Sequence, residues 1–136
     1  MKKVLMILVI CSMSIYAKDV LTSVEISDVL VNTGKVHLAI FNSAEGYKKH
    51  VPYKTQVIES KDKILSVEVE LPSGEYVFQL YQDVNNNGKL DTNLIGMPKE
   101  PVGISNYTGG MPSGFDKLKV LINEENKKAK IGIVKL

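Results

Sequence analysis

Lys63-Ile64-Leu65-Ser66-Val67-Glu68-Val69-Glu70-Leu71 is the stretch that decides the fold class. Leu65, Val67, Val69 and Leu71 fall on one side of an extended chain, with Ser66, Glu68 and Glu70 on the other. Successive side chains of a strand point to opposite faces, so this alternation marks a strand with one dry face and one wet face. Pro72-Ser73-Gly74 is a turn cluster, after which Glu75 to Gln82 alternates again through Tyr76, Phe78 and Leu80. The two runs are expected to pair as a β-hairpin.

The same period continues outward in both directions. Val24 and Ile26 share one face of Val20–Val29, which ends before the turn residues Asn32-Thr33-Gly34. Val36, Leu38 and Ile40 share one face of Lys35–Phe41, and Thr55–Glu59 is a short strand that Lys61-Asp62 turns into the next. Leu118, Val120 and Ile122 mark a further strand, and Ile131 and Ile133 the last, across a turn at Asn123–Lys128. About seven short strands with regular turn signals predict an all-β protein, an antiparallel β-sandwich. The one helical candidate is Ser43–Lys49, where Ser43 can cap a turn or two.

The chain has 136 residues with a formal net charge of +2 and a single cysteine. Residues 1–17, MKKVLMILVICSMSIYA, combine a basic start, an apolar run from Val4 to Ile10 and a small residue at Ala17. That is the layout of a secretory signal peptide. The apolar run is shorter than the roughly 20 residues of a membrane span, and Ile10 is not the small residue expected before a lipidated Cys11. A retained anchor and lipidation are the competing readings. Cleavage after Ala17 leaves a single domain, 18–136, with no membrane span, bound for the periplasm or the medium. It also removes Lys2, Lys3 and Cys11, so the mature chain is charge-balanced and has no thiol. Disulfides, thiolate metal sites and cysteine nucleophiles are thereby excluded from it. All 17 basic residues are lysine. Without the planar guanidinium fork, recognition of nucleic acid is poorly supported.

Asp83 to Phe115 breaks the pattern: it is rich in Gly, Asn and Pro and shows no good strand period. Long irregular segments inside a small domain are often functional. Within it, Asp83-Val-Asn-Asn-Asn-Gly-Lys-Leu-Asp91 places oxygen side chains at alternate positions. Asp83, Asn85, Asn87 and Asp91 take positions 1, 3, 5 and 9 of an EF-hand-type calcium loop. Gly88 takes the sharp turn at position 6, and Lys89 offers a backbone carbonyl at position 7. Position 12, normally a bidentate Glu, is Leu94. Water, Asn93 or a returning carboxylate must then fill that place, and Glu100 is the nearest downstream acid. So few carboxylates predict weak Ca²⁺ binding, about 10⁻⁴ to 10⁻³ M. The competing reading is a plain Asn-Gly hairpin turn, which does not call for an aspartate at both ends. A bound Ca²⁺ here is expected to be structural, tying down backbone that otherwise lacks partners.

Leu71-Pro-Ser-Gly-Glu-Tyr76, then Asp83 to Asn93, then Gly96-Met-Pro-Lys-Glu100 and Gly103-Ile-Ser-Asn106 together resemble a bacterial exported family known as a domain of unknown function. The likeness takes in Gly34–Phe41 and Pro112–Phe115 as well, most of the mature chain. It implies a secreted, immunoglobulin-like or transthyretin-like sandwich and no established activity. It also implies that Asp83, Asn85, Asn87 and Asp91 form the family's acidic-amide loop, with Glu100 as its downstream acid. Gln82 departs from the pattern, standing where relatives carry His.

Catalysis is the weaker case. His37 and His50 are the only histidines, and no nucleophile motif or Gly-rich phosphate loop occurs. His37 lies on the face opposite Val36, Leu38 and Ile40, as an ordinary sheet residue would. Asp83 and Asp91 are better explained as ligands than as a glycosidase pair, and the paired lysines at 48–49 and 127–128 as solvated turns. Tyr81, Tyr107 and Phe115 could border a surface for a protein or glycan beside the loop, but packing onto the sandwich is the favoured reading of them. A non-enzymatic recognition domain is therefore the expectation. An accessory or hydrolytic domain acting on carbohydrate or ester is the alternative.

Overall fold

The computed structural model describes residues 18–135, so the leader expected over residues 1–17 lies outside the described residues. The strands are β1 (Asp19–Ser27), β2 (Lys35–Phe41), β3 (Lys54–Glu59), β4 (Leu65–Pro72), β5 (Gly74–Asp83), β6 (Val102–Ile104), β7 (Val120–Ile122) and β8 (Lys128–Gly132). Two short helices, α1 (Ala44–Lys48) and α2 (Phe115–Leu118), complete the order. One sheet runs β4-β1-β8 and the other β3-β2-β5-β6, with β7 paired to the start of β5. No helix among the described residues is long and apolar enough to cross a membrane.

The alternation assigns faces correctly. Leu65, Val69 and Leu71 of β4 are buried against Val36, Leu38 and Ile40 of β2 and Tyr76, Phe78 and Leu80 of β5. β1 contributes Val20, Val24 and Ile26, with Thr22 on the same face bonding its hydroxyl to the carbonyl of Val20. Burial of these side chains, at about 25 cal/mol per Å² of apolar area, is the main force holding the sheets together.

Partners are another matter, and three expectations are corrected. β4 and β5 do not form a hairpin: β4 pairs with β1, from Asp19↔Pro72 to Ile26↔Leu65, whereas β5 pairs with β2. Pro72-Ser73-Gly74 therefore carries the chain from one sheet to the other, and the segment from β3 to β4 makes the reverse crossing. Second, the sandwich is not wholly antiparallel, since β1 and β8 pair in parallel. Third, Leu118 belongs to α2 and not to a strand with Val120 and Ile122. Its side chain joins Phe41, Val77, Ile104 and Phe115 in a second cluster. That cluster covers one end of the outer face of the larger sheet, so Val77 and Phe78 are both fully buried, on opposite faces of β5. Tyr107 packs against it too.

The expected helix is present as α1, and the Ser43 hydroxyl accepts from the Gly46 N–H at 3.0 Å. The segment 83–115 is not free of strand: β6 pairs with β5 from Gln79↔Ile104 to Tyr81↔Val102. β6 brings the total to eight strands.

Candidate functional site

β5 ends in Gln82 and Asp83, which belong to opposite faces. Gln82 lies on the inner side, is wholly buried, and uses its whole amide. Oε1 accepts from Leu30 N–H at 2.9 Å, and Nε2 donates to the carbonyls of Leu30 and Thr33, both at 2.6 Å. This fastens the turn before β2 to the end of β5. Gly34 completes the junction: its φ is +58°, and a Cβ there would stand 1.7 Å from the Asp83 carbonyl oxygen. Only glycine meets both demands.

Asp83 is 2% exposed. Its carboxylate accepts from Asn87 N–H at 3.1 Å and Gly88 N–H at 2.8 Å, curling the chain back on itself. Asn85 Oδ1 likewise accepts from Asn87 N–H, and Asn87 Oδ1 from Lys89 N–H. Asn86 and Gly88, with φ of 55° and 79°, supply the left-handed backbone that the curl needs. Asp91 then closes the ring. Its carboxylate receives Asn85 Nδ2 at 2.6 Å and Asn87 Nδ2 at 2.8 and 2.9 Å. Those two amides, Asn85 first, hold the Asp91 carboxyl below its usual 3.8, and Lys89 and Lys99 add to the effect.

The loop therefore brings Asp83, Asn85, Asn87 and Asp91 together. Lys89 is exposed, with its backbone N–H on Asn87. Glu100 stands in a different role from the ring. It is 3% exposed, and its two oxygens accept from Val84 N–H at 3.0 Å and Asp91 N–H at 3.1 Å. It clamps both ends of the loop. Leu94, at position 12, projects fully into solvent. Among the described residues, no three His, Cys, Asp or Glu side chains form a group able to hold a metal. A cation in the loop would draw on amide and carbonyl oxygens beside two carboxylates. Such oxygens suit Ca²⁺, a hard ion. Asn85 and Asn87 aim amide nitrogens at Asp91, so ligation requires both amides to turn over and present Oδ1.

His37 gives the site a neighbour that sequence spacing does not reveal. The register places it beside Tyr81, and the two rings stack at 4.8 Å with 9° between their planes. His37 Nε2 is 3.5 Å from Asp83 Oδ2. The Tyr81 phenol is pushed above its usual 10.0 by burial, then by the charges of Asp83, Glu100 and Asp91. Ala39 is the smallest residue on this face, and a depression of about 380 Å³ opens over it. His37, Tyr81, His50, Thr55 and Leu90 are among its lining residues, so the loop contributes one wall.

No curated protein and no solved structure matches the chain significantly. A family model does match, over residues 24–130, from the second half of β1 into β8, with the loop and its clamp. The chain belongs to that family, the uncharacterised proteins conserved in bacteria designated DUF2141.

Proposed function

We propose that this protein is an exported, non-enzymatic recognition domain whose loop at Asp83–Asp91 is ordered by calcium. The observation that carries the reading is the closed ring in which Asp83, Asn85, Asn87 and Asp91 converge around one curl of chain. The ring holds its side chains at the spacing of a calcium loop, so that Asn85 and Asn87, once turned over, would add oxygens to those of Asp83 and Asp91, with the Lys89 carbonyl at position 7. A bound ion would be structural, fixing Leu90 beside the depression that holds His37 and Tyr81. A glycan or a protein segment is the ligand class that such an aromatic-walled, half-open depression suits. Of the two expected sandwich types, the transthyretin-like one is favoured. The immunoglobulin order puts the first two strands in one sheet, whereas β1 and β2 lie in different sheets here.

Calcium titration followed by thermal melting tests the metal. With a Kd of about 10⁻⁴ to 10⁻³ M, 10 mM Ca²⁺ adds roughly 1.4–2.7 kcal/mol, a rise of several degrees in Tm. Asp91→Ala should abolish the rise and leave the sandwich folded, because Asp91 belongs to neither core cluster. No rise in the unaltered protein overturns the calcium reading. The hydrolytic alternative predicts turnover of glycans or esters that is lost in His37→Ala, with folding retained.

A further inference from the structure

Thr92 and Pro98 pair as an antiparallel bridge, and Lys99 N–H donates to the Asp91 carbonyl at 2.8 Å, making a small finger of residues 91–99. Its tip is Leu94-Ile95-Gly96-Met97. Leu94 and Ile95 are 106% and 82% exposed, and Met97 is exposed as well. None of the three joins either core cluster. Single exposed apolar residues are ordinary, but three at the end of one projection are not.

The finger ties up most of its own backbone donors. Asn93 Oδ1 accepts from the N–H groups of Ile95 and Met97, both at 3.0 Å. Gly96 N–H donates to the Asn93 carbonyl, Asn93 N–H donates to the Met97 carbonyl, and Pro98 has no N–H. The backbone donors of Asn93, Ile95, Gly96 and Met97 are thus satisfied within the finger itself, whereas the Leu94 N–H and the carbonyls of Leu94, Ile95 and Gly96 have no partner among the described residues. Unpaired backbone groups bar a loop from the hydrocarbon interior, so this tip suits the hydrated headgroup boundary, where side chains enter and water still reaches the backbone. At the base stand Lys89 and Lys99, both exposed. Of the acids there, Glu100 is buried on two backbone donors, and Asp91, half-buried, is held by Asn85 and Asn87.

We propose that the 91–99 finger inserts its Leu94, Ile95 and Met97 side chains into the surface of an anionic bilayer, with Lys89 and Lys99 at the headgroups. From the Thr92–Pro98 bridge to the tip is about 10 Å of extended chain, which matches the ~5–10 Å depth of interfacial insertion. Lysines at such a base attract anionic lipid. A stable protein partner needs roughly 800 Å² from each side, far more than a four-residue convex tip offers, whereas lipid closes around any shape. The inference does not depend on calcium in the loop.

The test uses residues 18–136, which hold both sheets and both clusters, so that the apolar segment 1–17 does not itself bind lipid. EGTA is present throughout, which keeps the result separate from the calcium reading. Vesicles of phosphatidylcholine with 30% phosphatidylglycerol should co-sediment the protein. The double substitution Leu94→Asp/Ile95→Asp should weaken partitioning at least tenfold without altering the melting curve. Lys89→Gln/Lys99→Gln should reduce binding to these vesicles severalfold and leave binding to pure phosphatidylcholine unchanged. The chain has no tryptophan, so Ile95→Trp provides a lone reporter whose emission should shift to the blue with vesicles. Partitioning that survives the double substitution, or an indole that stays at its aqueous wavelength, overturns the proposal and leaves the finger to a protein groove.

Discussion

β5 carries a carboxylate near each of its ends, and the two are used in opposite ways. Glu75, at the start, holds Lys119 Nζ at 2.9 Å on the surface, beside the pairing of β5 with β7. Asp83, at the finish, is buried and spends its oxygens on two backbone N–H groups. An exposed ion pair costs side-chain entropy and is screened by water, so it contributes little. A buried carboxylate that accepts backbone donors replaces the missing rungs of a ladder, and its loss leaves those donors unpaired. The start of β5 is fixed by the strands on either side, whereas the loop after Asp83 is fixed by its acids.

The largest effect should follow from Asp83→Ala. Removing both charge-assisted bonds lowers stability by about 1.5–3 kcal/mol in urea unfolding, and the proposed calcium-dependent rise in Tm should be lost as well. A midpoint equal to that of the unaltered protein would break the contrast between the two ends. Glu100→Gln comes next, at about 1 kcal/mol. The amide keeps one acceptor but turns a donor toward either Val84 N–H or Asp91 N–H, where an acceptor stood. Hydrogen exchange should quicken at those two amides and stay slow at Phe78, in the middle of β5.

How much of this was legible in the sequence depends on what the residues encode locally. Alternation in Leu65–Leu71 and Val36–Ile40 reports which side chains face inward, and it did so correctly. It says nothing about which strand lies alongside, so Pro72-Ser73-Gly74 looked like a hairpin turn although it joins two sheets. β6 is three residues, Val102 to Ile104, too short for a period to appear. The meeting of Asp83, Asn85, Asn87 and Asp91 could be read because they lie within nine consecutive positions, each set by the curl. Glu100 could be named but not understood, because its bonds to Val84 and Asp91 depend on where β6 begins. The contact of His37 with Tyr81 and Asp83 comes from the β2–β5 register, which no local pattern specifies. Gln82 looked like a departure from a histidine position. Its three hydrogen bonds to Leu30 and Thr33 give it a complete structural role of its own.

The smallest effect belongs to the start of β5, and it can be separated by pH. Hydrogen bonding to Glu75, followed by the bond to Asp116 and the charges of both, raises Lys119 above its usual 10.5. A raised lysine contributes stability that is fully present below the unfolded value and is lost as pH climbs through the folded one. At pH 7 that contribution is present in full but small, because the pair is exposed, so Lys119→Met should lower Tm only slightly there, with β7 still laddered to Gly74–Tyr76. Any destabilisation of the unaltered protein that comes from this pair should appear only above pH 10.5, and the substituted protein should lack that component. Melting both proteins from pH 7 to 11 reads the difference directly. A substantial loss for Lys119→Met at neutral pH would mean that the exposed pair holds the β7 junction, and that the two ends of β5 depend on their carboxylates alike.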